Sequence, residues 1–236
     1  MLAFRPSRKS PLDKDAIKFR LAFAKVYRDC PLSFWKKVFF FYETMLRLHP
    51  DDSRIRVRRK RGERLNLSHV KSRYHQQGQG ILFWGCISWY GVGPLVTIEG
   101  NLKSKDYAEL LDKAIPQALR MLNLRSSFYL EDNPKVHKTK KVKDIKDKYG
   151  LRSLDLPIYS LDLNVIENLW DIWKDRIHKR RPQNVVELKD LAYEKWNNIQ
   201  PKITQNLIRS MPIRLKKLLE IKVHILNINL SKINKN

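Results

Sequence analysis

The sequence predicts an α/β fold in which helices cover the faces of a mixed central β-sheet. Residues 38–42, VFFFY, form an uninterrupted apolar run, which is typical of a strand buried on both faces. Residues 166–177 place apolar side chains at spacing i, i+3, i+4, i+7 and i+11, the period of an amphipathic helix. Strand-like segments come first and a strand–helix–strand–helix order follows, which is the order of a layered α/β domain.

The same patterns place the other elements along the chain. Strands are predicted at segments with apolar runs or apolar–basic alternation: 38–42, 54–58, 81–89, 126–133 and 151–157. A turn at 91–93 is predicted to lead into the segment 94–100. Helices are predicted at segments with helical period or basic helical composition: 14–30, 107–118, 138–150, 164–177, 186–199 and 203–222. Pro116 is expected to kink or restart the helix around it. Polar chemistry is expected at the carboxyl ends of the strands.

The charge of the chain indicates a polyanionic partner. Its 48 lysines and arginines against 24 acidic residues give a formal net charge of +24. A charge so far from zero opposes compaction, so nucleic acid is the first candidate partner and an anionic membrane surface the second. Six tryptophans with nine tyrosines and nine phenylalanines indicate a packed domain rather than a basic tail.

Cysteine usage and hydropathy predict a soluble intracellular protein. Only Cys30 and Cys86 occur, without CxxC or zinc-ligand spacing, which excludes a disulfide framework and fits a reducing compartment. No apolar run approaches the ~20 residues that span a bilayer, and the amino terminus has no secretory apolar region. We therefore expect no membrane partner.

Two carboxylates lie where chemistry is expected. Asp132 ends the strand in LEDNPKVHK, and Glu167 lies in the first helical turn of YSLDLNVIENLW, after 34 intervening residues. Glu167 is about 100° round the helix from Ile166, at the margin of the apolar stripe, so it can lean over the sheet edge toward Asp132. Converging carboxylates in a basic groove indicate Mg²⁺-dependent phosphoryl transfer, in which two ions ~3.5–4 Å apart bind the attacking and leaving oxygens.

Each of these residues also has a purely structural interpretation. Asn164-x-x-Glu167 fits a capping box, in which both side chains satisfy backbone N–H groups at a helix start. Asp132 fits a turn residue. His137 has no partner at zinc-ligand spacing, so a surface or supporting role is favoured over that of a metal ligand.

Several ordered motifs resemble the catalytic domain of the Tc-mariner superfamily of transposases. LFWGCISWYGVGPLVTIEGNLKSKDYAELL resembles that family's WG-C-IS…G…L-x-x-I-x-G…Y-x-x-x-L segment. EDNPKVHK resembles QDNAPxH, SLDLNVIENLW resembles SPDLNPIENLW, and SMPIRL resembles SMPRRL. The resemblance extends over residues 12–222, and the separation of Asp132 from Glu167 is the one that this group uses.

The resemblance implies a ribonuclease-H-like fold with additional C-terminal helices. It also implies Mg²⁺- or Mn²⁺-dependent DNA cleavage and strand transfer at the ends of a mobile element, by an Asp-Asp-Glu triad. Asp132 would be the second acid and Glu167 the third, both as catalytic residues and metal ligands. Asn133, His137 and Asn164 would support them. DNA is the implied partner, no small-molecule substrate is implied, and a homodimer is left open.

The first acid of the triad is missing from its expected place. The family's first strand reads W-x-x-V-hydrophobic-F-S-D-E-S/T, and FWKKVFFFYET aligns with it without a gap, so Tyr42 stands at the catalytic aspartate. A phenol, whose pKa is ordinarily about 10, is neutral at pH 7 and offers one weak oxygen ligand. Glu43 is a poor replacement, because neighbouring strand residues point to opposite faces, and a rescue of the site by Asp51 or Asp52 is disfavoured too. We therefore predict weakened metal binding and an inactive or weakly active copy.

The expected layout is that of a truncated, degenerate transposase. Residues 1–13 are expected to be a basic linker remnant, 14–222 the catalytic domain and 223–236 a disordered tail, without the family's helix-turn-helix region. Three basic segments are interpreted either as solvated faces or as DNA contacts. DNA contact is favoured, because the same excess of basic residues occurs in all three segments. The predicted DNA-binding side chains are Arg56, Arg58, Lys60, Lys138, Lys140, Lys141, Lys174, Arg180 and Arg181.

A nuclear location is expected from the DNA partner and the basic clusters, with the cytoplasm as the second possibility. The rival function is a non-enzymatic nucleic-acid-binding protein that keeps the fold and the basic groove. Binding without cleavage would separate it from an endonuclease.

Overall fold

The computed structural model describes residues 13–49, 79–100, 103–123, 127–131, 137 and 139–220. The predicted linker, the predicted basic strand at 54–58 and the predicted tail at 223–236 therefore lie outside the described residues, apart from residue 13. Among the helices of the described ranges, none is long and apolar enough to cross a membrane.

Within the described ranges, five strands form one sheet, and this sheet is mixed, as the sequence predicted. They are β1 (Val38–Arg47), β2 (Gly80–Ser88), β3 (Gly91–Ile98), β4 (Ser127–Leu130) and β5 (Leu151–Ser153). Their order is β3–β2–β1–β4–β5, with β1 antiparallel to β2 and parallel to β4. β1 is therefore the central strand, and its apolar run from Val38 to Phe41 is fully buried.

Helices cover both faces of the sheet. They are α1 (Lys14–Tyr27), α2 (Leu32–Trp35), α3 (Ser104–Met121), α4 (Lys140–Lys148), α5 (Ile166–His178), α6 (Val185–Asn197), α7 (Pro201–Arg209) and α8 (211–220). One apolar cluster joins β1 to α5, α6 and α7, and a second joins β1 to α3 and α4; we call these sides the α5 face and the α3 face. Phe40 belongs to the α5 face, whereas Phe39 and Phe41 belong to the α3 face, as strand alternation requires.

Helix α3 runs through Pro116 without the restart that the sequence suggested. A proline cannot donate to the carbonyl four residues before it, which here belongs to Asp112. The hydroxyl of Tyr149 donates to that carbonyl oxygen at 3.1 Å instead. A tertiary contact therefore satisfies the acceptor that the proline leaves open.

The predicted helix at 203–222 is in fact two helices, because α7 ends at Arg209 and α8 begins after Ser210. Pro212 has no N–H to donate back into α7, but in the first turn of α8 this lack removes no helical bond. The carbonyl of Ser210 accepts from Arg214 N at 2.9 Å and starts the second helix. Helix α1 also ends earlier than predicted, at Tyr27.

Tryptophans bring α5 and α6 close to the centre of the sheet. Trp170 stacks on Trp196 with ring centroids 4.8 Å apart, and both are buried. Gly85 of β2 leaves room for them, since a Cβ there would lie 2.6 Å from Cη2 of Trp170. Gly85 pairs with Tyr42 across the strands, so this packing sets how closely α5 approaches β1 at that point.

Candidate active site

Tyr42 and Glu43 lie on opposite faces of β1. Tyr42 is half-buried and packs on the α5 face. The carboxylate of Glu43 lies on the other side of the strand, where its Oε1 is 3.5 Å from Nε2 of His137. Glu43 could take the position of Tyr42 only through a one-residue slip of the strand, which would move every core side chain of β1 to the opposite packed face.

The first turn of α5, which carries Glu167, is held against the end of the apolar run of β1. Asn164 is fully buried and donates from Nδ2 to the carbonyl of Phe41 at 3.5 Å, directly before Tyr42. The backbone N–H of Glu167 donates to the carbonyl of Asn164 at 3.2 Å, and Oε1 of Glu167 is buried. Tyr42 and the turn that carries Glu167 therefore lie on the same face of the sheet.

The capping box considered for Asn164 and Glu167 is not the arrangement found. Helix α5 begins at Ile166 with Val165 as its N-cap, and Val165 makes no side-chain capping bond. The backbone N–H of Asn164 donates to the carbonyl of Leu161 at 3.1 Å, within the preceding 3₁₀ turn. Asn164 therefore does not need the Glu167 carboxylate to satisfy its N–H.

A buried polar network lies on the α3 face, behind the site. We call it the Glu131 network, and its members are Glu43, Tyr107, Glu131, His137 and Lys146. Glu131 accepts a hydrogen bond from the hydroxyl of Tyr107 at 3.1 Å and pairs with the ammonium of Lys146. His137 stacks on Tyr107 with ring centroids 4.1 Å apart, and its Nδ1 is 3.4 Å from Oε2 of Glu131. The imidazole therefore lies between two carboxylates, and only the protonated ring carries an N–H on both nitrogens.

Burial and opposite charge act against each other within the Glu131 network. Burial raises the pKa of Glu131, while Lys146 and His137 favour its ionised form. Burial lowers the pKa of Lys146, while Glu131 favours its charged form. Burial also raises the pKa of Tyr107 well above its ordinary value, so this phenol stays a neutral donor. The charge of Glu131 is thus balanced within the protein by Lys146. Its carboxylate binds the other members of the network rather than a metal ion.

Sequence reasoning anticipated only His137 from this network, and it missed Glu131, Tyr107 and Lys146. The surface role considered for His137 is wrong, because the residue is 5% exposed. A signal for Lys146 was present: it follows Val142 by four residues, on the buried side of α4. A lysine on a buried helix face requires a charged partner.

The predicted metal ligands are described only in part. Asp132 and Asn133 lie outside the described residues, so their roles stay predictions. Within the described ranges, no group of three His, Cys, Asp or Glu side chains is arranged to hold a metal ion. Glu167 is described, on the same face as Tyr42.

The predicted DNA-binding side chains do not form a single cluster in the part of the chain that is described. Lys140 and Lys141 are exposed at the start of α4, on the α3 face. Lys174 belongs to α5, and Arg180 and Arg181 are exposed just after it, on the other side of the sheet. The others lie outside the described residues: Arg56, Arg58, Lys60 and Lys138.

Comparison with known proteins matches residues 37–189 to a family described as DDE superfamily endonuclease. The Tcb2 transposase of Caenorhabditis briggsae is 25% identical over 218 residues, which cover 92% of this chain and 80% of the relative. The Tc1 transposase of Caenorhabditis elegans is 26% identical over 217 residues, which cover 92% of this chain and 79% of the relative.

The fold is similar to that of the Mos1 transposase in its paired-end complex with the left transposon end. The TM-score is 0.78 at 14% sequence identity, over 93% of this chain and 66% of the Mos1 chain. The chain thus spans just under two thirds of that protein. The likeness confirms the predicted ribonuclease-H-like architecture.

Proposed function

Because this chain belongs to the DDE superfamily endonucleases and its relatives are Tc-mariner transposases, we propose that it is a transposase catalytic domain whose DNA cleavage is impaired by Tyr42. Its substrate is the DNA end of a mobile element. Its cofactor is Mg²⁺ or Mn²⁺, bound more weakly than by an intact triad. Structures of the similar Mos1 transposase with transposon-end DNA, with Mn and with Mg support this choice of partner and ion.

The orientation of two neighbouring side chains on β1 carries this proposal. Tyr42 points to the α5 face, where the buried Asn164 holds the turn of Glu167 against the strand. Glu43 points to the α3 face and lies beside His137. A carboxylate at position 42 would therefore share a face with Glu167, whereas the carboxylate at position 43 does not.

The donor set fits one divalent cation better than a pair. Mg²⁺ usually keeps several waters and needs only one or two protein carboxylates, which Asp132 and Glu167 would supply. A pair of ions ~3.5–4 Å apart needs a further ligand between them. Tyr42 brings no charge to that position at pH 7. We therefore expect one ion to be retained and the second to be lost.

The residues present have separate roles in the proposed DNA cleavage. The ion, when bound, supplies charge neutralisation and activation of the attacking oxygen. Glu167 offers its carboxylate from the first turn of a helix that is packed on the sheet by Trp170. Asn164 holds that turn to the backbone of β1. Lys140 and Lys141 are exposed at the start of α4 and are available to DNA phosphates.

A nicking assay on supercoiled DNA with Mg²⁺ or Mn²⁺ tests the proposal. We expect little nicking by the unmutated chain and a gain of at least about 10-fold for Tyr42→Asp, which corresponds to ~1.4 kcal/mol of transition-state stabilisation. Tyr42→Asn is the matched control, since it has the size of aspartate without the charge. Thermal unfolding of each variant checks that the half-buried position tolerates the change.

Two outcomes would refute this assignment. One is an equal gain of nicking in Tyr42→Asn and Tyr42→Asp, because the charge at position 42 would then be irrelevant. The other is an active unmutated chain that loses its activity in Glu43→Gln without losing stability. In that case Glu43 would be the first acid, despite its position beside His137.

The rival function, nucleic-acid binding without catalysis, is favoured by the net charge of +24 together with the neutral phenol at position 42. It predicts DNA binding that weakens steeply as salt rises, and no gain of nicking in Tyr42→Asp. Under both functions, the preference for particular DNA sequences should be weak if phosphate contacts dominate. Such contacts orient the protein without reading bases.

We also propose a nuclear location, since DNA is the partner and the basic residues are clustered. Fluorescence microscopy of a tagged chain tests it, and exclusion from nuclei would contradict it. A homodimer is proposed for the DNA-bound state, and light scattering with and without DNA would show whether the mass doubles.

A further inference from the structure

A buried arginine ties α1 to the turn that precedes α5. Arg20 is 6% exposed, and its guanidinium donates to both carboxylate oxygens of Asp162, at 2.8 and 2.7 Å. It also donates to the carbonyl of Tyr159 at 2.8 Å and to the hydroxyl of Ser160 at 2.9 Å. One side chain therefore holds three residues of the turn, in a fork geometry that a lysine cannot reproduce.

A second arginine reaches the same turn from the other end of the chain. Arg214, in the first turn of α8, donates to the backbone carbonyl of Asp162 at 2.7 Å. It also donates to Oδ1 of Asn168 at 2.7 Å and to the hydroxyl of Ser210 at 2.8 Å. Asn168 directly follows Glu167, so Arg214 bridges the turn and the helix start that carries the predicted metal ligand.

The backbone of the turn indicates that it is held rather than free. Tyr159 has a φ of 58°, in the left-handed region that residues with a Cβ seldom adopt. Such a conformation persists where the surroundings over-determine it. Here the carbonyl of the same residue is one of the acceptors of Arg20.

We propose that Arg20 and Arg214 are positioning residues for Glu167, which they act on through the Asp162 that both of them bind. We call these three residues the arginine clamp. The clamp fixes the 3₁₀ turn and the first turn of α5 before any metal or DNA is present, so that the carboxylate of Glu167 is already placed on the face shared with Tyr42. This inference rests on the proposed function only in taking Glu167 as a metal ligand.

The clamp has a measurable signature that differs from general stabilisation. Removing it should loosen residues 160–170 while leaving α3, which packs on the opposite face of the sheet, unchanged. Supporting partners of metal ligands typically change metal affinity by about 10-fold or more when they are lost. A variant that only destabilises the whole domain should speed exchange everywhere and leave metal affinity intact at temperatures where the protein is folded.

Hydrogen exchange and Mn²⁺ binding on the full chain test the clamp. The variants are Arg20→Lys and Arg214→Lys, with Asp162→Asn as a third that is tolerated more readily because Asp162 is half-exposed. Arg28→Lys, at the C-cap of α1, is the matched control, since the described side-chain hydrogen bond of Arg28 goes only to the exposed Asp29. Ile208→Val, in the core of the same face, controls for general destabilisation.

We expect amides of the first two turns of α5 to exchange about 10-fold faster in the three clamp variants, with α3 unchanged, and the Mn²⁺ dissociation constant to rise about 10-fold. Arg28→Lys should do neither, and Ile208→Val should speed exchange in α5 and α3 alike without changing the Mn²⁺ dissociation constant. Unchanged exchange in α5, or an equal acceleration in α3, would overturn the inference. If the unmutated chain binds no Mn²⁺, the proposed function fails, and the exchange comparison by itself still decides whether the clamp exists.

Discussion

Gly85→Ala should separate α5 from the sheet beside Tyr42. The added Cβ would lie 2.6 Å from Cη2 of Trp170 and 3.2 Å from two ring carbons of Trp196. Carbon atoms prefer separations of roughly 3.5–4.0 Å, so the nearest contact is short by about 1 Å. Neither ring can turn aside easily, because the two indoles are buried and stack on each other.

The size of the destabilisation follows from how little the neighbouring tryptophan rings can move. Trp196 is also held by a hydrogen bond from its Nε1 to the carbonyl of Gly93 at 2.8 Å. Overpacking a well-filled core costs about 1–3 kcal/mol, and with two fixed rings we expect about 3 kcal/mol for Gly85→Ala. For a domain of this size that corresponds to a Tm lower by roughly 6–12 °C. The same displacement moves the helix that carries Glu167, so metal-dependent activity restored by Tyr42→Asp should fall as well.

Urea denaturation followed by circular dichroism measures the free energy of unfolding of Gly85→Ala. Gly100→Ala is the matched control. A Cβ added at Gly100 would have no atom within 4 Å, but the φ of +67° there imposes a backbone strain of about 1–2 kcal/mol on an alanine. We expect Gly85→Ala to be the more destabilising of the two. A Gly85→Ala variant as stable as the unmutated chain would refute the packing argument.

Two further predictions concern the α3 face. His137→Ala removes the imidazole between the carboxylates of Glu43 and Glu131 and leaves a cavity beside Tyr107, so it should lower the free energy of unfolding by about 2–4 kcal/mol, as measured in urea at pH 7; a loss below about 1 kcal/mol would contradict the role given to the Glu131 network. Burial raises the pKa of Tyr129 to about 12. Because the folded value lies above the unfolded one, the neutral phenol contributes stability that is present below about pH 10 and is lost as the pH rises through about 12. Tyr129→Phe should therefore lose less stability than the unmutated chain between about pH 10 and 12, and equal losses would show that the phenol is not the group involved.

Strand alternation and helical period carried most of the fold prediction. The apolar run of β1 and the stripe of α5 are local patterns, because burial on one face repeats every second or every third to fourth residue. The opposite orientation of Tyr42 and Glu43 follows from the same alternation, and the structure has it. The continuation of α3 through Pro116 could not be read from these patterns, because it depends on a tyrosine from another helix segment.

Polar contacts were predicted poorly for a physical reason. A buried charge must find a partner, but the partner's place in the sequence is set by folding and not by spacing. Glu131 and Lys146 meet because α4 packs beside the end of β4, and His137 completes the group from a short segment between them. Sequence spacing suggested a capping box for Asn164 and Glu167. In the structure Oδ1 of Asn164 does accept from the N–H of Ile166 at 3.5 Å, while its Nδ2 holds α5 to β1.

The sequence by itself determined the ribonuclease-H-like layers, the resemblance to transposases, and the presence of a phenol where that resemblance leads us to expect the first acidic side chain. Those features depend on residue type, order and period, which are local and survive without any knowledge of contacts. Only the tertiary structure decided that Glu43 lies beside His137 on the α3 face. It also decided that Arg20 and Arg214, from opposite ends of the chain, meet at Asp162. Hydrogen bonds and ion pairs act over about 3 Å, and only folding brings such distant residues within that range.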